Sequence, residues 1–119
     1  MRKNNAKDRV EVEKAYYKSG ALWADTPYVN GERHGIEKTY YASGAIWWEI
    51  PYVNGEEHGI SRGYYESGAL QNEIPYVRGE IHGIVRDYEE GKSNIDGLAL
   101  YDKGHKVASV KLSIKGDRS

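Results

Sequence analysis

The stretch His34–Glu57, HGIEKTYYASGAIWWEIPYVNGEE, decides the reading of this chain, because most of it is written three times at a spacing of 24 residues. Tyr16-Tyr17, Tyr40-Tyr41 and Tyr64-Tyr65 align, followed by Ser19-Gly20, Ser43-Gly44 and Ser67-Gly68. Pro27-Tyr28-Val29, Pro51-Tyr52-Val53 and Pro75-Tyr76-Val77 come next, and His34-Gly35-Ile36, His58-Gly59-Ile60 and His82-Gly83-Ile84 close the unit. Self-similarity at a fixed period of this size marks a repeat architecture and outranks any local reading of secondary structure.

Two turn signals divide each copy. Ala42-Ser43-Gly44 and its equivalents are short loops ending in the residue best suited to positive φ. Asn54-Gly55, matched by Asn30-Gly31, suits a type I′ hairpin turn, and the third copy has Arg78-Gly79 there. The segments between are rich in Tyr, Ile, Val and Trp, and none keeps the three-to-four spacing of a helix. The expected fold is all-β: an elongated, twisted antiparallel meander built from tandem 24-residue hairpins. An even period places equivalent residues of successive copies on the same face. Strict alternation then puts Ile46, Trp48, Ile50 and Tyr52 on one face, the better core candidate, and Ala45, Trp47, Glu49 and Val53 on the other. Proline at 27, 51 and 75 removes a ladder donor within a strand, so a bulge or a break in pairing is expected beside each.

Outward from the repeats the pattern decays at both ends. Val10–Tyr17, VEVEKAYY, copies the first half of the unit without its His-Gly and reads as a half-unit cap. The expected organisation is a flexible tail over 1–9, tandem hairpin repeats over 10–88, and a degenerate repeat with a C-terminal β cap over 89–119. Within the last part, Ser93–Gly97 reads as a loop and Leu98–Gly104 as the end of a fourth unit, one residue out of phase. Lys106–Ile114 alternates as a closing edge strand.

Composition narrows the function. The 119 residues suit one domain. A net charge of −1 gives no basic surplus for phosphate, which argues against nucleic-acid binding. With no cysteine, disulfide frameworks, thiolate metal sites and cysteine nucleophiles are excluded. No segment approaches the roughly 20 apolar residues of a membrane helix. The polar N-terminus lacks a signal-peptide core, so a cytoplasmic location is expected. Eleven Tyr and three Trp with no Phe favour rings that are half-exposed. These rings are expected to stack across strands in place of a thick core; the alternative reading is that one face is a binding platform.

The one tempting catalytic or metal pattern is Glu32/His34, Glu56/His58 and Glu80/His82. It is repeated, whereas a catalytic site is a single asymmetric arrangement. Equivalent residues two strands apart are about 9–10 Å from each other, while zinc ligands must lie within about 4 Å of one another. The His-Gly pair is therefore expected to close turns and pack on the next hairpin, and neither cofactor, metal nor enzymatic activity is expected.

The pattern Tyr-Tyr-x-Ser-Gly-Ala-Leu/Ile, then Pro-Tyr-Val-x-Gly-Glu-x-His-Gly-Ile, resembles the MORN repeat in its bacterial variant form over about Val10 to Tyr88. The resemblance implies an elongated sheet of hairpins, often curved, with an aromatic-lined groove. It also implies a non-catalytic protein-binding module. Variant repeats of this kind occur in a YwqK-type group labelled as antitoxins, so the specific expectation is an antitoxin or immunity-like inhibitor. Its partner would be a toxin, a nuclease or a host defence enzyme, and a phage-borne inhibitor would look the same. The alternative is a scaffolding, dimerisation or lipid-surface module. The repeats supply no basic cluster for anionic lipid, and two open sheet edges allow a homodimer. The expected partner-binding residues are Trp23, Trp47 and Trp48, with Tyr17, Tyr41 and Tyr65 beside them.

Overall fold

The computed structural model describes residues 7–91 and 95–111. Expectations that fall on 1–6, 92–94 and 112–119 lie outside the described residues. Strands β1 (Val10–Tyr16), β2 (Leu22–Val29), β3 (Glu32–Arg33), β4 (Gly35–Tyr40), β5 (Ile46–Val53) and β6 (Glu56–Glu57) are followed by β7 (Gly59–Tyr64) and β8 (Leu70–Val77). Then come β9 (Glu80–Ile81), β10 (Gly83–Tyr88), β11 (Ile95–Asp102) and β12 (His105–Lys111). They form one antiparallel meander in the order β1-β2-β4-β5-β7-β8-β10-β11-β12, with the short β3, β6 and β9 pairing onto β2, β5 and β8. The expected meander of hairpins is what the chain forms. Ile95, Asp96 and Gly97, expected in a loop, already belong to β11, where Gly97 pairs with Asp87 and Lys111.

The Ser-Gly turns close with Tyr17, Tyr41 and Tyr65 accepting from the N–H of Gly20, Gly44 and Gly68 at 2.8–2.9 Å. The glycine takes a φ of 94–96°, as a three-residue hairpin loop requires. At the other edge, the first turn residue is left-handed in every copy: Asn30, Asn54, Arg78 and Lys103 have φ of 48–52°. Arg and Lys are poorly suited to that region, so something outside the turn has to hold them there.

The proline break occurs as expected and has a consistent form. β3 and β4 are one strand interrupted at His34, whose N–H donates to the Pro27 carbonyl at 3.1 Å; His58 with Pro51 and His82 with Pro75 repeat this at 3.0 Å. A Cβ at Gly35, Gly59 or Gly83 would stand 3.1–3.2 Å from the proline ring, so the residue after each His must stay small.

Strict alternation fails at one point. Thr39 pairs with Trp48 but Tyr40 with Ile46, leaving Trp47 as the extra residue of a β-bulge. Trp23 and Gln71 occupy the same place in their copies. Ile46 therefore lies on the face opposite Trp48, not beside it. The most buried positions are small: Ala24, Thr26 and Ser61 are 2–5% exposed and share the Trp48 face, while Val29, 4% exposed, lies on the other. Among the described residues no large side chain is fully buried. The chain exposes 8360 Å², where a compact protein of its mass exposes about 6500 Å². It is a single layer with principal extents of 65 × 38 × 21 Å.

With so little core, register needs another source. On the face opposite Trp48, Lys14, Asp25, Lys38, Glu49, Arg62, Glu73 and Arg86 pair in sequence across seven strands. Every neighbour is of opposite sign. Opposite charges across an antiparallel pair contribute roughly 0.2–1 kcal/mol, and a one-residue slip would move the whole set to the other face.

Three bonds join each copy to the next. His34, His58 and His82 accept at Nδ1 from the N–H of Asn54, Arg78 and Lys103, at 3.1–3.2 Å. The following glycine N–H donates to the carbonyl of Arg33, Glu57 or Ile81 at 2.8 Å. The hydroxyls of Tyr17, Tyr41 and Tyr65 donate to the carbonyls of Tyr40, Tyr64 and Tyr88 at 2.5–2.8 Å. The expected structural role of the His-Gly pair thus has a definite chemistry: imidazole protonated on Nε2, accepting at Nδ1. His58→Ala strands the N–H of the left-handed Arg78 and is expected to cost about 1 kcal/mol in urea unfolding. Unchanged stability would remove the imidazole from this account.

Candidate functional site

The sequence-predicted aromatics gather at the Ser-Gly end of the strands. Trp23 and Trp47, the bulge residues, are 43% and 37% exposed. Trp47 stacks on Tyr41 with centroids 5.3 Å apart and planes 25° from parallel. A bulge re-aims a side chain out of the ladder, which accounts for two indoles left at the surface beside the half-buried Trp48. Trp48 is different. It is half-buried, and its ring lies 2.9 Å from where a Gly63 Cβ would stand. Tyr17, Tyr41 and Tyr65 are half-buried, and their hydroxyls are used by the junction bonds described above.

Around Trp48 the face is tightly packed yet polar. Asn72 Oδ1 would lie 2.6 Å from a Cβ on Gly63. Thr39 Oγ1, Ser61 Oγ and Asn72 Oδ1 are buried without a hydrogen-bond partner. Thr39, Trp48, Gly63, Asn72 and Asp87 pair in sequence along one row. Burial, and then the nearby Asp96, push the Asp87 carboxyl up.

Towards the Asn-Gly end, the same face carries a row that sequence reasoning missed. Tyr28, Tyr52, Tyr76 and Tyr101 recur on it, with Arg33, Glu37 and Glu57 between them. The Arg33 guanidinium stands 5.3 Å from the Tyr52 ring centroid, and its Nε is 3.7 Å from Glu37. Glu37 also accepts from the Thr26 hydroxyl at 2.6 Å. Burial, followed by the charges of Glu37 and Glu57, raises the Tyr52 hydroxyl; burial and Glu57 raise Tyr76. The signal was present in the thrice-written Pro-Tyr-Val, where the tyrosine shares its face with Glu37 of the neighbouring strand.

The opposite face has its own network. Tyr64 donates to Glu49 at 2.5 Å and Tyr88 to Glu73 at 2.6 Å, while Arg62 Nε lies 3.0 Å from Glu73. Burial and the Glu49 bond push the Tyr64 hydroxyl up to about 12. The Tyr88 bond, aided by Arg62, holds the Glu73 carboxyl below the usual glutamate range.

These elements make surfaces for contact rather than an enclosed reaction chamber. The clefts at the Asn-Gly edge are open and repeat with the copies: Val53, Asn54, Glu56, His58 and Arg78 line one, and Val77, Arg78, Glu80, His82 and Lys103 the next. Among the described residues no group of three or more His, Asp or Glu is gathered to hold a metal ion.

Comparison with known families agrees with this architecture. The family model described as "MORN repeat variant" matches residues 33–54 and 57–78, the two copies at the centre of the sheet. These two copies are tandem MORN-variant repeats. Comparison with curated proteins and with solved structures gives no match. The repeat type points to a protein- or lipid-binding module, and proteins built from it are generally non-catalytic.

Two outcomes follow for stability. A folded-state pKa below the unfolded value makes Glu73 stabilising above about pH 4.3, a contribution lost as pH falls through the folded value. Glu73→Gln should lower stability at pH 7 and flatten the acid limb of a pH-dependent melt. An acid limb as steep as that of the parent would show that Glu73 is not its source. On the other face, Ser61→Ala removes a buried, unpaired hydroxyl and should be neutral or stabilising. Gly63→Ala, two residues away, drives a methyl into Trp48 and should cost about 1–3 kcal/mol. Equal effects of the two in urea titrations would contradict this packing.

Proposed function

We propose that this protein is a non-catalytic protein-binding module that recognises a partner protein through the aromatic shoulder at the Ser-Gly end of its strands. The observation that carries the reading is the pair of bulge indoles. Trp23 and Trp47 are 43% and 37% exposed in a chain with no surplus of surface charge to steer it to nucleic acid. Indoles held on a rigid scaffold are characteristic anchors of protein interfaces. Tyr41 braces one of them by stacking, and Tyr17 and Tyr65 hold the neighbouring turns. Trp48 supports the same region from within, through Gly63.

The narrower form of this reading is a cytoplasmic antitoxin or immunity-like inhibitor that caps a toxin, nuclease or defence enzyme. Its support is the resemblance to variant repeats of the antitoxin-labelled group, together with a rigid, small and nearly neutral chain. Self-association is a second reading, favoured by β1, all seven of whose residues are exposed at the sheet edge.

A tagged full-length chain should retain one stoichiometric protein from a host lysate. Trp23→Ala or Trp47→Ala should weaken that capture by about 2 kcal/mol or more with the circular dichroism spectrum unchanged. Trp48→Ala should instead lower the melting temperature, because it empties the space over Gly63. Capture unaffected by either exposed tryptophan would overturn the proposed anchors.

A further inference from the structure

We infer that the tyrosine row at the Asn-Gly end of the sheet is a second recognition surface, one that takes a proline-rich segment in polyproline II conformation with a basic residue three positions from a proline. This goes beyond the reading above. It uses the opposite end of the strands and a different kind of partner, a short linear peptide rather than a folded protein.

The row is regular. Tyr52 pairs with Gly35 on one side and Glu57 on the other. Tyr76 pairs with Gly59 and Ile81, and Tyr101 with Gly83 and Lys106. Tyr28 stands first, opposite Glu11 and Arg33. Each ring is thus separated from the next by one strand that contributes a glycine and one longer side chain. The contour is ridge and slot. Arg33 fills the first slot by lying over Tyr52. Glu57 borders the second, and Ile81 the third.

Successive tyrosines are two strands apart, a pitch of about 9.4–9.8 Å. That length selects the conformation of a bound segment. A polyproline II helix rises about 9.3 Å in three residues and returns the same side outward each time. An extended strand covers a similar distance in three residues but turns alternate side chains to opposite sides. An α-helix meets it with neither six residues, about 9.0 Å, nor seven, about 10.5 Å, and its error grows along the row. Polyproline II also leaves all its carbonyls unpaired, and tyrosine-lined grooves recognise it by ring-on-ring contact plus hydroxyl donation.

Charge fixes the register of the segment. The carboxylates on this part of the face are Glu11, Glu13, Glu37 and Glu57. Arg9 lies 2.7 Å from Glu11, Arg33 lies beside Glu37, and Lys106 stands opposite Tyr101 at the far end of the row, which leaves Glu57 as the carboxylate at the middle slot. Glu57 stands opposite Tyr52 in the slot before Tyr76, where its charge adds to burial in raising the Tyr76 hydroxyl, and its carboxylate has lone pairs for a cationic donor. A lysine or arginine of the segment is placed in the Glu57 slot. The residue three positions along then meets Ile81 between Tyr76 and Tyr101, where a proline ring suits the apolar wall.

The test is fluorescence anisotropy of labelled PPPKPPPPP titrated with the full chain. Saturable binding is expected. It should weaken about tenfold in Glu57→Gln or when the lysine is changed to glutamate, the loss of one charge-assisted contact. Trp47→Ala should leave it unchanged. The flexible peptide GSGKGSGSG should not bind. Binding of that peptide equal to the proline one, indifference to Glu57→Gln, or no binding at millimolar peptide would each overturn the inference. So would occupation of the row by another partner. That would be seen as self-association in sedimentation velocity, or as cosedimentation with phosphatidylserine vesicles, in either case lost in Tyr76→Ala. Failure of the peptide with Trp47-dependent capture intact would remove this inference and leave the previous reading standing. Peptide binding without Trp47-dependent capture would do the reverse.

Discussion

The structure depends on a backbone N–H in the next hairpin finding an imidazole nitrogen in the previous one. The first residue of each Asn-Gly-type turn is left-handed, and twice it is a residue with no taste for that region, Arg78 and Lys103. Its N–H points away from its own hairpin and would otherwise be served by water. His58 and His82 receive it. The carbonyl before each His receives the next N–H, so the turn of one copy is held by the break in the strand of the copy before. That break exists because proline withholds a donor and the residue after the histidine is glycine. Proline, histidine, glycine and turn are one device that spans two adjacent copies.

The device also explains where the array stops. The half-unit at the N-terminus has Val10 where a histidine would stand, and there the Arg9 carbonyl takes the Asn30 N–H directly. After the Lys103-Gly104 turn, the histidine place is taken by Val107, and β12 runs on without the proline-facing interruption. Each copy touches only its neighbours, so stability is a sum over units and junctions. A single layer with four strongly buried side chains named above cannot rely on apolar transfer alone. Hydroxyl-to-carbonyl bonds from Tyr17, Tyr41 and Tyr65, together with the alternating charge row from Lys14 to Arg86, supply order that a second layer would supply in a sandwich. Each contribution is small, but all point to the same register.

The repeat, the two turn types, the proline break and the structural role of His-Gly were legible because each is local: a residue type with a fixed conformational demand at a fixed offset. Trp47 shows where such reading ends. Whether a strand residue is the odd one in a bulge depends on the partner strand, and nothing in IWWEIP announces that Tyr40 will pair with Ile46 and Thr39 with Trp48. One extra residue reverses the face of everything before it, which is why Ile46 was expected beside Trp48 and lies behind it. The tyrosine row was missed for a related reason. Tyr52 becomes part of a surface only when Gly35 and Glu57, from two different strands, are placed at its sides.

A one-layer sheet has a further consequence for recognition. In a sandwich, binding at one face leaves the core as it was. Here both faces are already surface, and the half-buried rows around Trp48 and Tyr52 are half-buried only because nothing lies over them. A ligand laid across several copies would act as the missing second layer. It would bury rings in successive units and bridge the junctions that otherwise rest on a histidine, a carbonyl and a tyrosine hydroxyl each. Binding and folding are then linked through the same contacts: whatever occupies a row of the sheet raises the free energy of unfolding with the logarithm of the ratio of free ligand to its dissociation constant. A repeat that cannot make a core by itself is, for the same physical reason, well suited to take part of one from a partner.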